Sequence, residues 1–426
     1  MTRLRLATRE TFGSRSVRNF RLFFVGQGVS QVGNWLTLVA QTLLVIKLGG
    51  NGIALGVLVA CQFLPVLLFA AWAGLIADRS DKRKLLFIVQ CFAMAQSFVM
   101  AGLAFMDKPP LVAIYAVAMA GGFAMAFDNP ARRSFVVEMV PKENVQNAVS
   151  LNSAVMTSSR IVGPALAGLL ITTVGFGWAF LLDGVSYLAV LAALAMMRTS
   201  ELRPAPVTQR GKGQVREGLR YVRGVPELWI PLAMMALVGT LAFNFSVVFP
   251  LMVTRTFHSD TVMFTVLFSV ISIGSLLGAL WSARRKTIDV RDVARASAFF
   301  GVAMLLFAVV PSLAWAFPIG LLVGAGSISF LTTSTAIVQV EAVAEMRGRV
   351  LALQAIVFLG STPIGGPILG YVTDTFGPRW GVALGGLAGV TAAAWGLWMY
   401  RRVRGSFAAD VRHPEPVDVE IPEPVA

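Results

Sequence analysis

The chain has 426 residues, of which 56% are hydrophobic and only 14% are charged, and its mean hydropathy is +0.72. This composition excludes an ordinary water-soluble protein of that length and indicates a membrane protein with many spans. The formal net charge of +14 suggests a nucleic-acid partner, but the basic residues lie in short segments between apolar stretches, which excludes one. Two cysteines and two scattered histidines exclude a metal cluster, so we expect no metal and no cofactor.

Apolar segments long enough to cross roughly 30 Å of hydrocarbon, which takes about 20 residues, occur twelve times. They are continuous rather than alternating, so they predict helices and not the strands of a barrel. The predicted spans 1 to 12 cover about 20–46, 53–76, 84–106, 111–127, 146–174, 177–197, 229–254, 262–283, 294–310, 314–338, 349–374 and 378–400.

The distribution of basic residues predicts the orientation of these spans. With twelve spans both termini lie on one side, and 31 of the 36 Lys and Arg residues fall on that side. Lys and Arg are enriched in cytoplasmic loops of membrane proteins. We therefore expect both termini in the cytoplasm and the protein in a bacterial inner membrane.

Span 1 carries amide side chains on one helical face, at spacings of four, three and seven residues. Lipid penalises such a face, so it should point into the protein. Polar residues of spans 7 and 10 are further candidates for a central cavity, although hydrogen bonding between helices explains scattered Ser and Thr almost as well. The candidate cavity residues are Gln27, Gln31, Asn34, Gln41, Asn244, Thr332 and Ser334.

The connection after span 2 reads GLIADRSDKRK, residues 74–84. A loop that merely follows the positive-inside rule explains its basic residues but not its glycine and first aspartate at this spacing. It resembles the signature loop between helices 2 and 3 of the major facilitator superfamily, which implies a cytoplasmic gate. The matching residues are Gly74, Asp78, Arg79, Asp81, Lys82 and Arg83. Asp81 stands where the family often has glycine.

Span 5 contains SRIVGPALAG, residues 159–168. Small residues every fourth position form a face on which a neighbouring helix can pack closely, and the proline should bend the helix. Small residues and proline are also common in membrane helices generally. The stretch resembles the span-5 motif of superfamily exporters, which implies export. The motif residues are Ser159, Gly163, Pro164, Ala167 and Gly168, with Ser159 and Ala167 in place of glycines.

Three longer stretches narrow the resemblance. Residues 20–36, 128–153 and 216–228 together are similar to the enterobactin-exporter-like branch, which also contains macrolide and multidrug exporters. The resemblance implies an all-α membrane protein of twelve transmembrane helices in two six-helix pseudo-repeats, the major facilitator fold. Proton-coupled members often carry an arginine in span 4, which residues 115–127 lack.

Ionisable residues within spans are costly and are functional candidates by default. Arg160 lies near the middle of span 5, Asp183 lies in span 6, and Asp128 closes span 4. We name these three as candidate coupling residues, and Arg160 is a hypothetical substitute for the missing span-4 arginine. An ion pair between Asp183 and Arg160 is an equal alternative to a proton relay.

An internal repeat predicts the domain organisation. GPALAG at 163–168 matches GPILG at 366–370, and the loop at 74 has a degraded counterpart at 278, offsets of 203 and 204 residues. The polar connection between them contains VREGLRYVRGV, which predicts either an amphipathic helix on the inner leaflet or a simple tether. The expected regions are an N-terminus at 1–19, a bundle at 20–197, a linker at 198–228, a bundle at 229–400 and a disordered cytoplasmic tail at 401–426.

These features predict a secondary active antiporter that exports small amphipathic organic molecules of siderophore, macrolide or multidrug type. Protons drive it, two six-helix halves alternate in access, and the expected partners are the lipid bilayer, the substrate and protons, with the chain acting as a monomer. A lipid flippase or a non-transporting receptor on the same fold is the alternative. A membrane transferase needs paired catalytic groups that the sequence does not offer, so we predict no enzyme.

Overall fold

The computed structural model describes Ser14 and residues 17–203, 214–282 and 288–412. Within these residues twelve helices are long and apolar enough to cross a membrane, which confirms the predicted number. Span 7 is broken at 243–244 and ends in a π-helical turn. The spans are Arg18–Lys47, Gly52–Arg79, Lys82–Ala104, Leu111–Glu138, Val145–Thr173, Phe176–Ala195, then Pro226–Ala242 with Phe245–Leu251 and Met252–Thr256, Thr261–Ser282, Val290–Val309, Leu313–Glu341, Ala344–Phe376 and Pro378–Arg412.

Several helices extend beyond the lengths predicted from the apolar runs. Span 4 continues eleven residues past 127 to Glu138, because no strong helix terminator follows until Pro141. The helix tolerates Pro130, and the Ser134 hydroxyl donates to the Pro130 carbonyl oxygen. Span 12 continues to Arg412, so residues 401–412 are helical and not part of a disordered tail. The rest of the expected tail, 413–426, lies outside the described residues.

Short helices occupy the connections. Single 3-10 turns cover Lys142–Asn144 and Thr199–Glu201, and the linker contains a helix at Gln214–Gly224. This linker helix packs on span 11, where Glu217 pairs with Arg349 at 2.7 Å and the Val343 amide donates to the Tyr221 hydroxyl. The segment is therefore helical, while its place on the inner leaflet stays a prediction.

The same packing pattern occurs twice. Span 1 contacts spans 5 and 6, and span 3 contacts spans 4 and 6; span 7 contacts spans 11 and 12, and span 9 contacts spans 10 and 12. The second set repeats the first six spans later, which is the arrangement of two six-helix pseudo-repeats. Across the repeats span 2 packs on span 11 and span 5 packs on span 8.

The two ends of the assembly differ. We call the end at which span 1 begins and the linker lies the linker side. There the Asn19 side chain and the Arg198 backbone exchange hydrogen bonds of 2.9 and 3.0 Å, which ties span 1 to the segment after span 6. These contacts lie within the first repeat.

At the opposite side the two repeats meet. A Cβ atom on Gly52 or Gly56 of span 2 would collide with the Gly370 or Gly366 carbonyl oxygen of span 11, so glycine permits this approach. The Asp374 carboxylate of span 11 accepts hydrogen bonds of 2.8 and 2.9 Å from the first backbone amides of span 2. It also pairs with Arg255 of span 7 at 2.7 Å, so one carboxylate caps a helix of the other repeat.

Asp374→Ala should weaken this closure. A charged helix cap is worth about 1–2 kcal/mol, so its loss weakens the contact between the repeats by about tenfold in equilibrium constant. We expect spin labels at positions 53 and 376, both exposed, to show a longer distance population, measured by pulsed electron resonance after Cys61 and Cys91 are replaced by serine.

The matched control is Asp289→Ala, because Asp289 caps its own helix, span 9, by accepting from the Asp292 amide. This variant should leave the distance distribution unchanged. An unchanged distribution in Asp374→Ala would contradict the assignment of Asp374 as the latch between the repeats.

Candidate functional site

A cavity of about 400 Å³ lies between the two repeats. Ten of the twelve spans contribute to it, and spans 9 and 12 do not. Its lining consists of Gln31, Asn34, Trp35, Thr37, Leu38, Gln41, Val59, Gln62, Phe63, Val89, Gln90, Ala93, Gln96, Ala118, Gly121, Gly122, Ala124, Met125, Asp128, Asn129, Arg132, Met156, Arg160, Tyr187, Phe243, Asn244, Phe245, Ser246, Phe268, Ser327, Ile328, Leu331, Phe358, Leu359 and Thr362.

The wall built by the first repeat is polar. The Tyr187 hydroxyl donates to Asn34 Oδ1 at 2.7 Å, and Asn34 Nδ2 donates to Gln31 Oε1 at 2.8 Å. Deeper in the wall Gln62 Nε2 donates to Gln41 Oε1 at 2.6 Å. These bonds satisfy amide groups that face one another across spans 1, 2 and 6, and the network holds their orientation.

The wall built by the second repeat is mainly apolar and includes four phenylalanine rings. Phe243 packs on Phe358 with ring centroids 5.0 Å apart and stacks on Phe245 at 5.8 Å. Phe243 and Phe245 lie at the break in span 7. There the chain leaves the helical path, and Asn244 lines the cavity. Asn244 Nδ2 donates a hydrogen bond to the Thr240 carbonyl oxygen, while Asn244 Oδ1 has no partner among the described residues. The cavity therefore faces a ligand with amides on one side and rings on the other.

Three of the seven residues predicted for the cavity lie elsewhere. Gln27 is buried in span 1 nearer the linker side, and neither of its side-chain polar atoms has a partner among the described residues. Thr332 donates to the Ile328 carbonyl oxygen of its own helix. Ser334 lies two turns beyond Ser327, which does line the cavity. Gln31, Asn34, Gln41 and Asn244 line it.

Asp183 is buried among spans 1, 3 and 6, directly behind the polar wall. Its Oδ2 accepts hydrogen bonds of 2.7 Å from the hydroxyls of Thr37 and Ser97. Its Oδ1 has no partner among the described residues and lies against Gly33, where a Cβ would collide with it. Thr37 belongs to the cavity lining, so one hydroxyl separates this carboxylate from the substrate space.

Arg160 lies on the other side of span 1. Its guanidinium stacks over the Trp35 ring, 5.2 Å from the centroid, a favourable cation–π arrangement. No carboxylate of the described residues lies within 4.0 Å of it. Trp35 is about 160–200° around the helix from Gly33 and Thr37, so span 1 separates Arg160 from Asp183. The structure does not form the ion pair that was the alternative for these two residues.

Asp128 lines the cavity toward the linker side. Its Oδ1 accepts from Gln90 Nε2 at 2.7 Å, and its Oδ2 pairs with Arg132 one turn along span 4. Arg132 is buried and lines the cavity, yet its Nε and Nη1 have no partner among the described residues. The extension of span 4 thus places an arginine on this wall that the predicted end at 127 had excluded from the span.

The gate-motif residues hold the linker side of the first repeat together. Asp81 caps span 3 by accepting from the Lys84 amide, and Lys82 pairs with Glu138 at 2.7 Å with both side chains buried. Arg83 donates to the carbonyl oxygens of Leu194 and Ala195, which complements the C-terminus of span 6. The motif also includes Asp78 and Arg79 at the end of span 2, and Gly74, whose missing Cβ faces open space.

The exporter-motif residues are all buried. A Cβ on Gly163 would collide with Trp35 of span 1, and one on Gly168 would collide with Thr265 of span 8. The matching motif in span 11 packs in the same way, because a Cβ on Gly365 would collide with span 7 and one on Gly370 would collide with span 2. Each motif therefore packs one helix against its own repeat and against the other repeat. Pro164 lies within the continuous helix Val145–Thr173, and Ser159 and Ala167 complete the face.

Sequence reasoning missed most of the lining from spans 2, 3 and 4. Gln62, Gln90 and Gln96 are amides embedded in apolar helices, which is itself a signal, since lipid penalises each. The rings of Phe243, Phe245 and Phe358 carry no such signal, because buried phenylalanines look alike in sequence. Among the described residues no three His, Cys, Asp or Glu side chains lie together where they could hold a metal ion.

Comparisons with known proteins agree with this architecture. The chain is 24% identical over 362 residues to the staphyloferrin A transporter of Staphylococcus aureus (strain NCTC 8325 / PS 47), covering 84% of this chain and 90% of that protein. It is 27% identical over 359 residues to the multidrug efflux pump Tap of Mycolicibacterium fortuitum, covering 81% and 87%. It is 22% identical over 352 residues to macrolide efflux protein A of Streptococcus pyogenes, covering 81% and 87%. These relatives are transporters, not enzymes.

Solved structures share the fold. A bacterial homologue of the human lysosomal transporter Spinster, in an inward-facing and unoccupied conformation, superposes with a TM-score of 0.73 at 15% identity, covering 95% of this chain and 99% of that one. The profile of the transmembrane secretion effector family matches residues 10–421. The chain belongs to that family of major facilitator transporters.

Proposed function

We propose that the chain is a proton-driven exporter that moves small amphipathic organic molecules across a bacterial inner membrane by alternating access. The observation that carries this proposal is the cavity between the repeats, with amide groups on one wall and phenylalanine rings on the other. A substrate with both a polar and an apolar part satisfies the two walls at once. The relatives named for siderophore, macrolide and multidrug transport agree with a substrate of this kind.

The packing supports alternating access. The contacts between repeats at Gly52, Gly56 and Asp374 close the opposite side, while a Cβ added to Gly74 of the gate motif on the linker side would meet no atom within 4 Å. This asymmetry supports a state that is open toward the linker side. In the alternate state the gate motif would close against the second repeat and the Asp374 latch would break.

The orientation rests on charge. By the topology predicted from the sequence, 31 of the 36 Lys and Arg residues belong to the termini and to the connections on the same side as the linker. We therefore propose that this side is cytoplasmic, with both termini there. The cavity then opens to the cytoplasm and accepts substrate for export. The two repeats are the moving units and the chain works as a monomer, because both walls and the latch come from one chain.

Transport into inverted membrane vesicles tests export directly. We expect uptake of at least one probe from a panel of siderophores, macrolides and dyes when respiration acidifies the vesicle lumen. An uncoupler should abolish that uptake, because the proton gradient supplies the free energy. Uptake that persists with the uncoupler would contradict proton coupling, and scrambling of labelled lipid without probe uptake would favour the flippase.

Asp183→Asn should abolish transport driven by the proton gradient but leave the exchange of substrate across the membrane intact. Asparagine keeps an oxygen to accept the Thr37 and Ser97 hydrogen bonds but carries no titratable charge. We expect gradient-driven uptake to fall to the background of empty vesicles, while exchange of labelled for unlabelled probe at equal concentrations continues. Both are measured with the same probe in the same reconstituted vesicles.

The matched control is Asp260→Asn, which removes an exposed carboxylate between spans 7 and 8, away from the cavity. It should leave both rates as in the wild type. Uphill uptake at the wild-type rate in Asp183→Asn would exclude Asp183 as the coupling residue, and the test would then move to Asp128.

A further inference from the structure

The charged residues of the cavity do not balance. Of the described residues, three that line it are charged: Arg132, Asp128 and Arg160. Asp128 and Arg132 pair with each other on span 4, so their charges compensate. Arg160 has no carboxylate within 4.0 Å among the described residues. Of the three, Arg160 is therefore the one without an ion-pair partner among the described residues.

An uncompensated guanidinium inside the membrane is costly, and such groups normally find a counter-charge. Asp183 does not supply it, because that carboxylate lies behind span 1 and accepts from Thr37 and Ser97. The Arg160 guanidinium stacks on the Trp35 ring, which contributes much less than an ion pair. A bound anion would supply that counter-charge.

The surroundings of Arg160 specify more than charge. Trp35, on which the guanidinium stacks, packs in turn against Phe268 of span 8 with ring centroids 6.3 Å apart. Phe268 belongs to the apolar wall of the second repeat. An anionic group bound at Arg160 therefore lies next to a surface that accepts rings or alkyl chains.

We propose that the cavity binds amphipathic organic anions, with a carboxylate or similar acidic group on Arg160 and the apolar part on the phenylalanine wall. The anion site names the substrate class of the proposed exporter. Transport of such anions rests on the proposed function, whereas their binding can be tested without it. Arg132 supports it on the linker side, because its Nε and Nη1 are buried donors without partners among the described residues.

Binding of one apolar frame in three charge states tests the proposal. The probes are 4-(1-naphthyl)butyrate, its primary amide and 4-(1-naphthyl)butylamine, titrated calorimetrically into the full chain in nanodiscs at neutral pH. We expect the acid to bind about tenfold or more tightly than the amide, since a charge-assisted hydrogen bond replaces a neutral one. The amine should bind most weakly.

Variants identify the residue responsible. Arg160→Gln should lower the affinity for the acid to that for the amide and leave the amide affinity unchanged, which also shows that the variant is folded. Arg160→Lys should keep the preference for the acid. Arg133→Gln is the matched control, because Arg133 is exposed on span 4 and lies outside the cavity. Its substitution removes the same charge as Arg160→Gln.

Three results would overturn the anion site: equal or tighter binding of the amide or amine, an unchanged ratio of acid to amide affinity in Arg160→Gln, or no binding of any of the three probes. Vesicle transport separates this outcome from failure of the proposed function. If the Arg160-dependent preference holds but no probe of any class is transported, the anion site stands and export is wrong. If probes are exported without a preference for acids, export stands and the anion site is wrong.

Discussion

A polar group inside the hydrocarbon is costly unless it faces the interior of the bundle or pairs there, and this constraint organises the whole molecule. It turns the amide face of span 1 inward, where Gln31, Asn34 and Tyr187 bond to one another. It also explains the glycines, because helices held together without a hydrophobic driving force need close backbone contact. Gly163 provides that contact between spans 5 and 1, and Gly365 provides it between spans 11 and 7.

The two repeats share a fold but contribute different kinds of side chain to the cavity. Adding the repeat offset of 203 residues to Arg160, Asp183 and Asp128 leads to Pro363, Gly386 and Leu331, none of which is charged. The first repeat therefore carries the charges and amides, and the second supplies rings and the broken helix at Asn244. A duplicated scaffold can diverge in this way because the packing glycines, not the lining residues, maintain the helix pairs.

The sequence predicts the twelve spans because each is a continuous apolar run, and the amide face of span 1 because its residues recur on one side of a helix. It does not predict the end of span 4, since residues 128–138 are polar enough to be a loop and stay helical with long-range support such as the Lys82–Glu138 pair. Arg132 was missed for that reason. Gln62 and Gln90 have no periodic partners, and which phenylalanines of 29 face the cavity depends on how the repeats meet.

Span 1 lies between the Asp183 carboxylate and the Arg160 guanidinium of the cavity. One of its faces presents Gly33 and Thr37 to Asp183, and another presents Trp35 to Arg160. The same helix packs on Gly163 of the exporter motif, with no room for a side chain between them. A tightly packed helix does not deform continuously but moves as a unit. In the proposed mechanism a change of charge at Asp183 would therefore reach the substrate wall through the placement of span 1, without any direct bond between the carboxylate and the guanidinium.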